Sequence, residues 1–128
     1  MRTIIAGSRS IKDYDVVFEA IRSSGIDITE VVSGRAKGVD TLGEEFARNH
    51  GIKVVPYPAD WKNLKVANAK AKQGKYGLYN VNAGRDRNRR MAEYSDALIA
   101  VIHNNSAGTA HMIRTAEEHG LVIHVCEV

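Results

Sequence analysis

Short apolar runs alternate with helix-patterned segments along this chain, and most of the runs end in a small-residue loop that opens the next helix. This alternation restricts the fold more than any other feature. Thr3 to Ala6 is such a run and stops at Gly7. The others are Glu30 to Ser33, Lys53 to Tyr57, Asp96 to His103 and Leu121 to Val128, and the unbroken apolar stretch Ala97 to Ile102 marks the expected central strand. Between them, Asp13 is placed to cap a helix with Val16, Val17, Ala20 and Ile21 on one face, ending near Gly25. A second helix is expected from about Val39 to His50, with Val39, Leu42, Phe46 and Ala47 inward and Gly51 as its stop. A third spans about Arg85 to Tyr94, and a fourth Gly108 to His119 with Thr109, Met112, Ile113 and Ala116 at core spacing. Buried strands alternating with helices build a parallel sheet, and right-handed crossovers put helices on both faces. The expected fold class is α/β, a doubly wound Rossmann-like five-stranded parallel sheet in the order 3-2-1-4-5. Residues 1–128 make one domain, broken only by a polar, lysine-rich insertion at about 62–83, the length of a lid or binding loop. Within it, Leu64 to Lys72 is compatible with a helix.

That strand order places the topological switch between the first strand and the one ending at His103, and ligands of such sheets bind at the switch. Four motifs follow strands there. Gly7-Ser8-Arg9 is by itself no more than a turn signal, yet Ser8 carries a hydroxyl and Arg9 a fork suited to phosphate. Ser33-Gly34-Arg35-Ala36-Lys37-Gly38-Val39-Asp40 has two glycines spaced to form an anion nest, without the Gly-Lys-Ser/Thr ending of a P-loop. Asp40 either supplies favourable charge at a helix start or bonds a ribose or a partner loop. Gly84 to Met91 (GRDRNRRM) holds Arg85, Arg87, Arg89 and Arg90, preceded by Lys62, Lys65, Lys70, Lys72 and Lys75; the run is either a solvated face or a basic rim for phosphates. Gly108-Thr109-Ala110-His111-Met112 is the best phosphate site on physical grounds, because a helix N-terminus attracts anions and Thr109 adds a donor. Asn104, Asn105 and Ser106 precede it, and the rival reading is that Asn105 or Ser106 caps the helix. His111, one turn in, is expected to be exposed.

Composition removes other classes. The apolar and charged fractions, 44% and 26%, are those of an ordinary globular domain, and the net charge of +3 is too mild to argue for nucleic acid on its own. No apolar run approaches the roughly 20 residues of a membrane span, and MRTIIAGSRS reads as a core strand rather than a leader, so no membrane partner is expected. The lone Cys126 has no internal partner, which suits a cytoplasmic location, and packs in the last strand. His50, His103, His119 and His124 show no metal-ligand spacing. Neither a metal nor a cofactor is expected.

Taken together, Gly7-Ser8-Arg9, Gly34-x-Ala36-x-Gly38-x-Asp40, Pro58-Ala59-Asp60-Trp61, Ala83-Gly84 with Arg87-Asn88-x-x-Met91, and Gly108-Thr109-x-x-Met112 are specific in order and spacing. The chain resembles the YspA-like branch of the SLOG superfamily, a Rossmann-like group that includes the Lonely Guy phosphoribohydrolases and the DprA/Smf proteins. The resemblance implies a nucleotide or nucleotide-derived ligand. Gly7, Ser8 and Arg9 would line one wall and Gly34, Gly38 and Asp40 the next. Arg87 and Asn88 would contact base, sugar or phosphate, and Gly108 and Thr109 would hold phosphate. Asp60 and Trp61 would flank the entrance, Trp61 as a stacking face or as a buried structural residue. A homodimer or larger assembly is also implied.

Two features depart from the family. Where Lonely Guy enzymes carry a catalytic glutamate this chain has Met112, which is neither acid nor base, and the insertion after Trp61 is long. Three functional readings follow: a nucleotide sensor or binder, a hydrolase of a nucleotide's glycosidic or phosphate linkage, and a DprA-like binder of single-stranded DNA. Loss of the glutamate weighs against the second. Scarce aromatics and mild charge weigh against the third.

Overall fold

Ile4 and Ile5 are neighbours in the chain, both fully buried, and belong to different halves of the core. A strand whose successive side chains are both inside must be covered on both faces. The computed structural model describes residues 1–128 except 67, 75, 76 and 105, with the backbone alone for residue 79. Lys75 and Asn105, singled out above, therefore lie outside the described residues. The elements run β1 (Arg2–Gly7), α1 (Tyr14–Ser24), β2 (Glu30–Ser33), α2 (Val39–Asn49), β3 (Lys53–Pro56), β4 (Ala71–Gly74), β5 (Gly77–Asn80), α3 (Ala83–Tyr94), β6 (Ala97–Ile102), α4 (Ala107–Glu118) and β7 (Val122–Glu127).

The main sheet is wholly parallel in the order β3-β2-β1-β6-β7, which is 3-2-1-4-5 when only its own strands are counted. On one face α1 and α2 pack Val17, Ile21, Leu42 and Phe46 against Ile5, Val31, Ile99 and Val101. On the other, α3 and α4 pack Met91, Met112 and Ala116 against Ile4, Val32, Leu98 and Ala100. Helix ends fall where the sequence places them. The Asp13 carboxylate accepts from the Asp15 N–H at 3.0 Å to start α1, and Gly25 closes it at φ +66°.

The insertion differs from expectation. No described residue between Leu64 and Lys72 is helical; β4 and β5 instead form an antiparallel hairpin separate from the main sheet. Short amides capture the main chain here and compete with helix formation. Asn63 Oδ1 accepts from Lys65 N–H (3.0 Å), and the buried Asn80 Oδ1 accepts from both Lys70 N–H (3.2 Å) and Asn82 N–H (3.0 Å). Asn68 Nδ2 then donates to the Asp86 carboxylate at 2.8 Å, fastening the segment before the hairpin to α3. Among the described residues no helix is long and apolar enough to cross a membrane.

Candidate functional site

Because β1 and β6 are neighbours whose helices leave on opposite faces, the loops after them must part, and a crevice opens between them. Ser8 ties its two lips together. Its N–H donates to Val101 O (3.0 Å), its hydroxyl donates to His103 O (3.2 Å), and the same oxygen accepts from His103 N–H (2.9 Å). The hydroxyl expected to face a phosphate is thus engaged by the protein main chain, in a residue only 4% exposed. The crevice encloses about 690 Å³ and takes lining from Gly7 to Ser10, the start of α2, the insertion, α3, and the first turns of α4.

Arg87 is one of the lining residues. The guanidinium donates from Nη1 to Gly34 O and from Nε to Asn88 Oδ1 (2.9 Å). Gly34 leaves room for this contact, since a Cβ there would collide with Nη1 and lie 2.9 Å from Asp40 Oδ2. Gly38 has φ +77°, and a Cβ on it would sit 2.5 Å from Ser8 O, so only glycine suits this position. Neither Gly34 nor Gly38 lines the crevice; both let the β2–α2 loop pack beneath its wall. Asp40 does line it, buried, with Oδ2 accepting from Ala36 N–H at 3.2 Å.

Burial pushes the Asp40 carboxyl above its ordinary range; the Ala36 N–H and the Arg87 charge pull the other way, and Glu44 adds to the rise. A raised folded-state value means that the folded protein holds this proton more tightly than the unfolded chain does. That contribution to stability is complete below the unfolded carboxyl range and is lost as pH rises through the folded value. Asp40→Asn keeps an oxygen for Ala36 and removes the titration. The variant should therefore gain stability relative to the wild type as pH increases from 4 to 7 in urea melts; a relative loss over that range would show that the ionised form is the favoured one.

Asn88 is buried and lies between Arg87 and His111, with its Nδ2 3.1 Å from His111 Nδ1. His111 is half-buried and lines the crevice rather than standing exposed as the sequence implied. Burial first, then the charges of Arg85 and Arg114, hold the ring below the usual imidazole range, while Glu118 opposes them. Arg114, which the sequence motifs missed, lines the crevice because it follows His111 at one helical turn.

At the start of α4 Ser106 is the N-cap. Ser106 Oγ accepts weakly from Thr109 N–H (3.4 Å) and lies 2.9 Å from Thr109 Oγ1. Gly108 is exposed, with no protein atom within 4 Å of where a Cβ would be. The Ala107 and Gly108 amides precede the first intrahelical bond, from Ala110 N–H to Ser106 O. Each of the other three helices has an acid in its first turn (Asp15, Asp40, Asp86), and α4 has none.

The basic run divides. Arg85 and Arg87 line the crevice, Arg89 pairs with Glu93 at 3.1 Å on the exposed side, and neither Arg90 nor the described lysines of the insertion contribute to the lining. Trp61 lines it too, 39% exposed, its ring edge 3.0 Å from where a Gly84 Cβ would lie. Asp60 is exposed and does not line it. No cluster of three or more metal-ligating side chains occurs among the described residues.

A doubly wound parallel sheet with a polar crevice at its switch point defines a small Rossmann-like domain. The chain belongs to the YspA, cpYpsA-related SLOG family, whose model matches residues 1–64. Among solved structures, DNA processing protein A (DprA) from Streptococcus pneumoniae is similar at a TM-score of 0.64 and 20% identity, over 95% of this chain and 48% of that one. The likeness is one of fold, and the chain spans about half the length of that structure. No curated protein matches the sequence.

Proposed function

We propose that the chain binds a nucleotide or nucleotide derivative in this crevice and acts as a binder or sensor rather than as a fast hydrolase. One observation carries the reading. Outside the crevice, Arg2, Arg22, Arg35 and Arg89 each pair with a carboxylate, whereas Arg48 and Arg90 form no ion pair among the described residues. Arg9, Arg85, Arg87 and Arg114, which line it, form no ion pair among the described residues. Asp40 is the sole carboxylate among the described lining residues, and its Oδ2 is engaged by Ala36. Guanidinium groups left without a carboxylate partner in a concave site favour a ligand with several negative charges. The open start of α4 supports a phosphate at Ala107 and Gly108, and Trp61 offers a face for a base. Met112 is buried in the core and is neither acid nor base, and Asp40 is the one carboxylate among the described lining residues, which supports binding over turnover. Assembly into a homo-oligomer belongs to the same proposal.

The test is a thermal-shift panel of mono-, di- and cyclic nucleotides, NAD, ADP-ribose and a single-stranded oligonucleotide, with product analysis of each hit. A ligand at a hundred times its Kd stabilises by about 2.7 kcal/mol, or about 10 °C in Tm for a chain of this size. An intact nucleotide hit supports the proposal, a cleaved one makes the protein a hydrolase, and a response to the oligonucleotide alone overturns it in favour of DNA binding. Gly108→Ala should leave Tm without ligand unchanged or slightly higher, because the methyl meets no protein atom, yet weaken phosphate-dependent shifts. Undiminished shifts would move the phosphate away from α4.

A further inference from the structure

Three side chains in the crevice, Arg87, Asn88 and His111, form a chain of hydrogen bonds whose direction is set by chemistry. Arg87 Nε can only donate, so the Asn88 atom 2.9 Å from it must be the amide oxygen. The other end of the amide, 3.1 Å from His111 Nδ1, is then the NH₂ group, which also can only donate. Nδ1 must therefore present a lone pair, and the ring's one proton lies on Nε2. Asn88 is buried, and Arg87 is fixed a second time by Gly34 O, so the amide has no easy way to turn over. His111 Nε2 has no protein partner among the described residues, and the ring lines the crevice.

We propose that His111 is a neutral donor of fixed tautomer, which recognises an acceptor atom of the bound nucleotide through Nε2–H. The proposal rests on the nucleotide-binding reading and adds the residue and the protonation state. It also gives His111 a role distinct from that of a general base, since Nδ1 is occupied by Asn88 and Nε2 already carries its proton. The charged surroundings agree. Arg85 from α3 and Arg114 from α4 disfavour an imidazolium, Glu118 alone favours it, and forming it would set the new Nδ1–H against the Asn88 NH₂. A cation at this position would hold phosphate more tightly as pH falls; a fixed neutral donor would not.

Nitrogen-15 NMR of the ring, recorded from pH 8 to 6, tests the protonation state without any ligand. The expected result is the Nε2–H tautomer throughout, and an Nδ1–H tautomer or an imidazolium at pH 7 would overturn the inference. In Asn88→Asp a carboxylate faces Nδ1, so the proton should move to Nδ1 and the ring should titrate within that range; an unchanged tautomer would show that Asn88 does not set it. Calorimetry with AMP tests recognition. His111→Ala should weaken AMP about tenfold, the worth of one neutral hydrogen bond, and His111→Gln, which restores an N–H donor, should recover most of the loss. Wild-type affinity in His111→Ala overturns the inference alone. A wild-type protein that binds neither AMP nor any other nucleotide of the panel overturns the binding reading, and with it the role of the donor, while the NMR result still decides the tautomer.

Discussion

Gly7→Ala is expected to leave little folded protein. Gly7 ends β1 in register with Val101 of β6, and a Cβ on it would overlap the Val101 carbonyl oxygen and lie 2.8 Å from Val39 Cγ2. Neither neighbour is free to retreat. The carbonyl accepts from Ser8 N–H within the central strand pair, and Val39 is fully buried at the start of α2. Relief would require β1 and β6 to separate at the point where the crevice begins. Forced overpacking of a core costs about 1–3 kcal/mol, and with two immovable neighbours the cost here should be about 3 kcal/mol or more, a large part of a domain's stability. Gly25→Ala is the matched comparison. Gly25 has φ +66° but no atom within 4 Å of a Cβ, so it loses only the left-handed conformation, about 1–2 kcal/mol. Chemical denaturation of both variants gives the answer, and equal losses would mean that the close approach to Val101 does not constrain the chain.

The second large effect is at Arg87. Arg87→Ala removes a charged donor from the crevice, leaves Gly34 O without its partner, and releases the Asn88 amide that orients His111. Hydrogen bonds involving a charged group are worth about 1.5–3 kcal/mol, so nucleotide affinity should fall about 10- to 100-fold by calorimetry. Arg87→Lys should recover little of this. A single ammonium cannot serve Asn88 from Nε and Gly34 from Nη1 at once, and lysine lacks the planar fork. Near-normal affinity in the lysine variant would reduce the role of Arg87 to bare charge.

Some of this site was legible along the chain. Gly7-Ser8-Arg9 and Gly108-Thr109 follow the two strands that flank the switch, and parallel topology alone brings those loops together. Arg87 was picked out from its basic run by the resemblance to the family, through Arg87-Asn88-x-x-Met91, rather than by spacing. The Ser8 hydroxyl was not legible, because its partners are the main-chain atoms of His103, 95 residues away. Nor was the hairpin of the insertion. Its helix-compatible stretch is overruled by the Asn63 and Asn80 amides, whose targets depend on how the segment folds back. His111 was underrated because helical spacing says which face a residue occupies, not which neighbour lies beside it.

The order of strands and helices in the main sheet, the two-sided core and the edge at which the crevice opens were determined by the sequence itself. They follow from local periodicity, from the burial required of strands apolar on both faces, and from the handedness of crossovers, none of which needs a distant contact to be known. Tertiary structure alone decided which basic and hydroxyl groups face the crevice, which are held by the protein, and which way the Arg87, Asn88 and His111 hydrogen bonds run. A hydrogen bond depends on ångström distances between residues far apart in the chain, and the pattern of residue types along a sequence does not carry that information.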